Sequence, residues 1–182
     1  MKRKTAKEIL AESFRELAET KSIDKITVRD ITDNCGYSPA TFYRQFKDKY
    51  DLIAWNYSQT IAEIMGQVGE DNYQWRDTLL AGALYFDEQR EYLINLLRHT
   101  SGHDAFILYM TEIHFRALEN LFLRRSGREA LDEKTQMYVR LYCFGTVSLT
   151  CEWIQGRYKA SPEELAEVYE QSLPAPLHQY CF

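Results

Sequence analysis

TVRDITDNCGYSPATFYRQFKDKYDL, residues 27–52, decides how this chain folds. Thr27, with Asp30 three residues on, predicts a capping box, and Val28, Ile31 and Cys35 then line one face of a short helix. Gly36 ends it, because glycine enters the left-handed conformation at little steric cost. Ser38 N-caps the next helix and Pro39 takes its first position, where a missing N–H costs nothing. Tyr37 and Phe42 hold the two positions of a hydrophobic staple. Asp48, followed by Asp51, opens a further helix through LIAWNYSQTIAEIMGQV.

Two short helices across a glycine turn outline a helix-turn-helix. In the second, Phe42 and Phe46 lie one turn apart and face inward. Ala40 and Arg44 point the other way, flanked by Thr41 and Tyr43. A small side chain, a hydroxyl, a phenol and a guanidinium suit a helix that enters a major groove. Lys49 opposes the dipole at its own helix start, so a phosphate there would be held by both the lysine and the free N–H groups. Thr27 could donate to phosphate in the same way, with Arg29 nearby. The same pattern is also compatible with a three-helix packing unit.

Charge distribution agrees with a DNA-binding head. The net charge is -5, but the first 50 residues hold eleven Lys/Arg against eight Asp/Glu, and the remainder eleven against nineteen. A basic head on an acidic body fits a protein whose head alone meets a polyanion. No apolar run reaches the roughly 18 residues of a membrane span, and the basic N-terminus lacks the features of a signal peptide, so a cytoplasmic protein is expected. The four cysteines show no CxxC spacing and read as reduced thiols.

The rest is helical in pattern. Ala6, Leu10, Phe14 and Leu17 form one stripe from Thr5 to about Thr20. Helices are expected from Trp75 to about Arg98 with a joint near Asp87, from about Ala105 to Arg125, from Leu131 to Gly156, and from the Ser161 cap to about Leu173. GEDNY and HTSGHD read as breaks, and Pro174 and Pro176 as a loose tail. The expected fold is all-α, about nine helices, with a head over residues 1–50 and a body over 51–182.

ITVRDITDNCGYSPATFYRQFKDKYDLI resembles the DNA-binding head of tetracycline-repressor (TetR) type regulators. It carries their T-V-x-x-I start, central glycine, S-x-x-T-[FL]-Y-x-x-F and K-x-x-L, without a gap from about Ile9 to Ile53. The resemblance implies DNA contacts at Thr27, Ser38, Ala40, Thr41, Tyr43, Arg44 and Lys49. Tyr43 and Lys49 would meet phosphates, while Ala40, Thr41 and Arg44 would read base edges. With Arg29 and Pro39 these complete the candidate DNA-binding set. Ala40 stands where many members have glycine. The resemblance also implies a homodimer on a palindromic operator and a small effector bound in the body.

The helix TQMYVRLYCFGTVSLTCEWIQG is apolar on more than one face, so a second subunit is a natural cover. Tyr142, Val147, Leu149, Trp153, Leu165, Val168 and Tyr169 are the expected dimer contacts. Trp75, Phe86, Phe106, Tyr109, Met110 and His114 are the candidate effector-pocket residues, with ordinary core packing as the other reading. Residues 85–122 are similar to the effector domains of dihydroxyacetone-kinase-type regulators, which work with a protein co-regulator. His99 and His103 have i, i+4 spacing, but Ser101-Gly102 between them argues against a metal site. No catalytic constellation and no cofactor motif is present, so neither an enzyme nor a cofactor is expected.

Overall fold

The computed structural model describes residues 4–68, 73–99 and 103–182, with side chains at all of these except 98, 99 and 103–106. The two expected breaks, GEDNY and HTSGHD, and the His99/His103 pair fall largely or wholly outside the described residues. The described residues form ten α-helices and no strand. They are α1 Ala6–Ala18, α2 Val28–Cys35, α3 Pro39–Gln45, α4 Lys49–Gly66, α5 Trp75–Glu88, α6 Arg90–His99, α7 His103–Ser126, α8 Glu133–Ile154, α9 Pro162–Gln171 and α10 His178–Cys181.

The chain divides into two compact units. One comprises Met1–Thr60 with Glu91–Ser101, the other Ile61–Arg90 with Gly102–Phe182. The division therefore falls inside α4 rather than after residue 50, and α6 joins the head. The physical reason is visible at Asn95 of α6. Its side-chain amide donates to the carbonyls of Ala18 (3.1 Å) and Lys21 (3.2 Å) and accepts from the Ile23 N–H (3.3 Å). Tyr92 of the same helix sets its ring edge-on to Phe14.

Within the head, the capping signals act as the sequence indicates. Thr5, Thr27 and Ser38 accept from the N–H groups of Glu8, Asp30 and Thr41, and Asp48 accepts from Tyr50 and Asp51. Each satisfies N–H groups that a helix start leaves without partners. Gly36 adopts φ 72°, the left-handed turn that lets the chain reverse between α2 and α3. Leu10, Phe14, Ile23, Ile31 and Phe42 are fully buried. Inside this core the Ser13 hydroxyl donates to the Ile31 carbonyl (2.7 Å), fixing α1 against α2.

The body packs α5 against α9 and α7 against α8. Its C-terminal tail is not loose, contrary to expectation. A 3-10 turn over Ala175–Leu177 leads into α10, and Leu177, Tyr180 and Cys181 are buried. Tyr180 stacks flat on Phe122 of α7, with ring centroids 4.7 Å apart. The two prolines pre-set the turn that brings these side chains home. The segment is too short for its apolar spacing to show as a period.

Candidate nucleic-acid interface and body cavity

The outward side of α3 carries the groups that could meet a polyanion. Phe42 and Phe46 are buried with ring centroids 5.8 Å apart, which pins the inner side. Ser38, Pro39, Ala40, Tyr43 and Arg44 are all exposed, and Tyr43 keeps 61% of its surface open. Thr41 is half-buried. Its hydroxyl lies 3.1 Å from that of Ser38, so one of the two hydroxyl protons is spent between them and the other remains available. Arg29 of α2 is exposed and only loosely paired with Asp33 at 3.7 Å.

Two expected phosphate ligands are placed differently. The Thr27 N–H and hydroxyl both donate to the Asp30 carboxylate, each at 2.7 Å, so its donors are committed to the cap. Those two hydrogen bonds, with a further one from Lys21 at 2.9 Å, hold the Asp30 carboxyl well below the usual carboxylate range. Lys49 turns its ammonium into the head. It donates to the carbonyls of Ile23 (2.7 Å), Asp24 (3.1 Å) and Ile26 (2.9 Å), which accounts for all three of its protons. Burial pushes this amine below its usual value, while Asp24 pulls it back. Lys49 thus clamps the 3-10 turn Ile23–Lys25 that leads into α2. Neither this clamp nor the Asn95 latch was foreseen. A polar Asn inside the apolar run YLINLL was the available signal for the second.

The body holds a cavity of about 50 Å³ between α5, the end of α4, α7, α8 and α9. Three expected effector residues, Trp75, Phe86 and His114, line it. Met110 is buried but does not line it, and Tyr109 is exposed. The Phe106 side chain lies outside the described residues. His114 stacks on Phe86 and keeps part of its surface exposed, yet the crowding around its imidazole pushes it down to about 4. Burial pushes the Cys143 thiol up to about 12 and raises the Tyr142 and Tyr169 phenols.

Most of the expected dimer contacts are interior instead. Tyr142, Val147, Trp153, Leu165 and Tyr169 are buried within the unit. Tyr142, Thr146 and Thr150 follow one another at i, i+4, i+8 and face Tyr169. The Tyr142 hydroxyl donates to the Tyr169 carbonyl (2.9 Å), and the Tyr169 hydroxyl meets both Thr150 and the Thr146 carbonyl. The Trp153 indole donates to the Ala160 carbonyl (2.7 Å) under the Arg90 guanidinium. On α8 and α9 the exposed aliphatic and phenyl side chains are Met137, Leu141 and Phe144, at i, i+4, i+7 on α8, and Val168 on α9, with Leu149 half-buried.

Both parts of the chain match family models. Residues 9–54 match bacterial regulatory proteins of the tetR family. Residues 73–174 match the transcriptional regulator C-terminal region of the same family. The chain belongs to the tetR family. It is therefore a DNA-binding transcriptional regulator. A curated tetR-family relative is the HTH-type dhaKLM operon transcriptional activator DhaS of Lactococcus lactis subsp. lactis, 26% identical over 104 residues. That match spans 57% of this chain and only 55% of the relative. Among solved structures, the dihydroxyacetone kinase operon activator DhaS aligns with TM-score 0.66 at 21% identity, over 97% of this chain and 98% of that one. A TetR regulator from Rhodococcus sp. RHA1 aligns at 0.65 and 18%, over 93% and 95%. Thermus thermophilus FadR, a repressor solved with lauroyl-CoA, aligns at 0.63 and 15%, over 92% of each chain. These structures share the fold. No helix of the described residues is long and apolar enough to cross a membrane, and no cluster among them could hold a metal ion.

Proposed function

We propose that this tetR-family regulator acts in the cytoplasm as a homodimer on a palindromic operator, and that a molecule bound in the body controls release. One observation carries the DNA-reading part: Phe42 and Phe46 anchor the inner side of α3 while Ala40, Tyr43 and Arg44 stand exposed on the outer side. Ala40, Arg44 and the free proton of the Ser38–Thr41 pair suit base edges, and Tyr43 and Arg29 suit phosphates. The exposed Met137, Leu141 and Phe144 of α8 with Val168 of α9 are the surface on which a second copy would pack. Two copies would bring their α3 helices to successive major grooves about 34 Å apart.

The matched DhaS of Lactococcus lactis is named an activator, whereas the FadR neighbour is named a repressor. Repression relieved by an effector is the first reading and activation the second. Selection of random duplexes on the purified protein tests operator reading. Enrichment of a palindrome whose half-site preference changes with Arg44→Ala supports it, and no enrichment by a folded dimer refutes it. A reporter behind the selected sequence then separates repression from activation.

A further inference from the structure

The reading of the body as an effector domain leaves the chemistry of the effector open, and the cavity narrows it. Its described walls contain no Lys, Arg, Asp or Glu. The titratable groups that do line it are uncharged at neutral pH: His114 is pushed down to about 4, Cys143 up to about 12, and both phenols are raised. A charged ligand group would have to shed its hydration there with no opposite charge to meet it.

Two residues of the cavity wall carry buried polar atoms that lack partners. The Trp75 Nε1–H and the Thr78 hydroxyl are closed off from solvent, their residues 0% and 1% exposed, and neither makes a hydrogen bond among the described residues. The Trp75 indole N–H lies close enough to the Tyr142 phenol to interact with it weakly and counter part of its burial, but short of a full hydrogen bond. Trp75 and Thr78 lie three residues apart on α5, on neighbouring positions of one helix face. Unpartnered buried donors are costly, so a pair of them beside a void calls for an acceptor in that void. The void of about 50 Å³ is several times the ~10–15 Å³ that a single water needs by the same measure. An occupant larger than a few waters must be slender, and a flexible wall group such as Met65 can give way to it.

We propose that this cavity binds a slender, uncharged, largely apolar molecule whose single hydrogen-bonding oxygen is held by the Trp75 indole N–H and the Thr78 hydroxyl. Acids and amines of the same length are rejected by the uncharged wall. The inference rests on the effector reading of the body, and its test separates the two.

The test uses the full chain at pH 7.5 and four six-carbon probes: 2-hexanone, 1-hexanol, hexanoate and hexylammonium. Binding is followed by calorimetry and by the thermal shift. The two neutral probes are expected to bind saturably and the two ions not to. Thr78→Val keeps the shape and removes the hydroxyl. It should leave the fold intact, because that hydroxyl has no partner to lose, and weaken 2-hexanone roughly three- to tenfold. Ala83→Leu, at a buried wall position, should fill the cavity and abolish binding. Ions that bind as tightly as the neutral probes overturn the proposal, as do absent binding of the neutral probes and binding indifferent to Thr78→Val. Release of the selected operator duplex is measured in parallel. Neutral probes that bind in the cavity without releasing DNA sink the effector reading and leave the ligand class standing. Ions that release DNA where neutral probes do not keep the effector reading and overturn the ligand class.

Discussion

Replacing Lys49 by Met separates two tasks that one lysine could perform. Met keeps most of the aliphatic stem and removes the ammonium that donates to Ile23, Asp24 and Ile26. A hydrogen bond from a charged donor contributes about 1.5–3 kcal/mol. The Asp24 bond is exposed, so water replaces it, and the two part-buried bonds dominate with about 3–6 kcal/mol. Against this, the freed side chain regains up to about 2 kcal/mol of conformational entropy. Removing a positive charge from the start of α4 returns a further ~0.3–1 kcal/mol. The net cost is about 2 kcal/mol. For a chain of this length that lowers Tm by roughly 4–8 °C. The assay pairs thermal unfolding, followed by circular dichroism, with the salt dependence of binding to the selected duplex. A clamp predicts the lowered Tm and an unchanged salt slope. A phosphate ligand predicts the reverse: an unchanged Tm and a slope flatter by about 0.9. The second pattern would show that the ammonium leaves its carbonyls for DNA, and the clamp would be refuted.

Asn95→Ala should loosen the connection between α1 and α2, raising hydrogen exchange at Ile23 and weakening DNA binding about tenfold; unchanged exchange there would remove the latch from the account. His114 is neutral in the fold down to about pH 4 and ordinarily titrates near 6.5, so the unfolded chain binds the extra proton between these values. Stability should be full above about pH 6.5 and fall by at most about 3 kcal/mol as pH drops to about 4, with His114→Phe flattening the urea-unfolding profile across that window. Ending the chain after Leu173 removes buried Leu177 and Tyr180 and should cost about 3–6 kcal/mol, read as a lowered urea midpoint; an unmoved midpoint would mean the tail contributes nothing to the body. Leu141→Glu should yield a folded monomer in sedimentation, because Leu141 is 69% exposed, and a dimer that survives would place the interface elsewhere.

What could be read in advance follows a physical division between local and non-local causes. Capping pairs such as Thr27–Asp30 and Ser38–Thr41 act over three residues, so the sequence displays them, and the helix starts fell where they indicate. The inward direction of Phe42 followed from helical period, whereas Phe46 is buried just past the end of α3 in extended backbone. Charge roles were harder, because a lysine at a helix start and a threonine at a cap advertise donors without showing which acceptor is near. Lys49 finds its carbonyls 23 to 26 residues back along the chain, and no local pattern encodes that distance.

The long helix α8 shows the same limit from the other side. Being apolar on several faces, it says that cover is needed but not which face a neighbour of the same chain already supplies. Tyr142 and Trp153 look like interface anchors by size, yet their polar atoms decide otherwise. A phenol and an indole that bury must find acceptors, and they find them at Tyr169 and Ala160, 27 and 7 residues on. Met137, Leu141 and Phe144 have no polar atom to satisfy and so are free to remain outside, where only another surface can cover them. On α8, Tyr142 and Trp153, which carry a polar handle, settle in the chain's own core, while residues without one divide, Val147 inside and Met137, Leu141 and Phe144 outside.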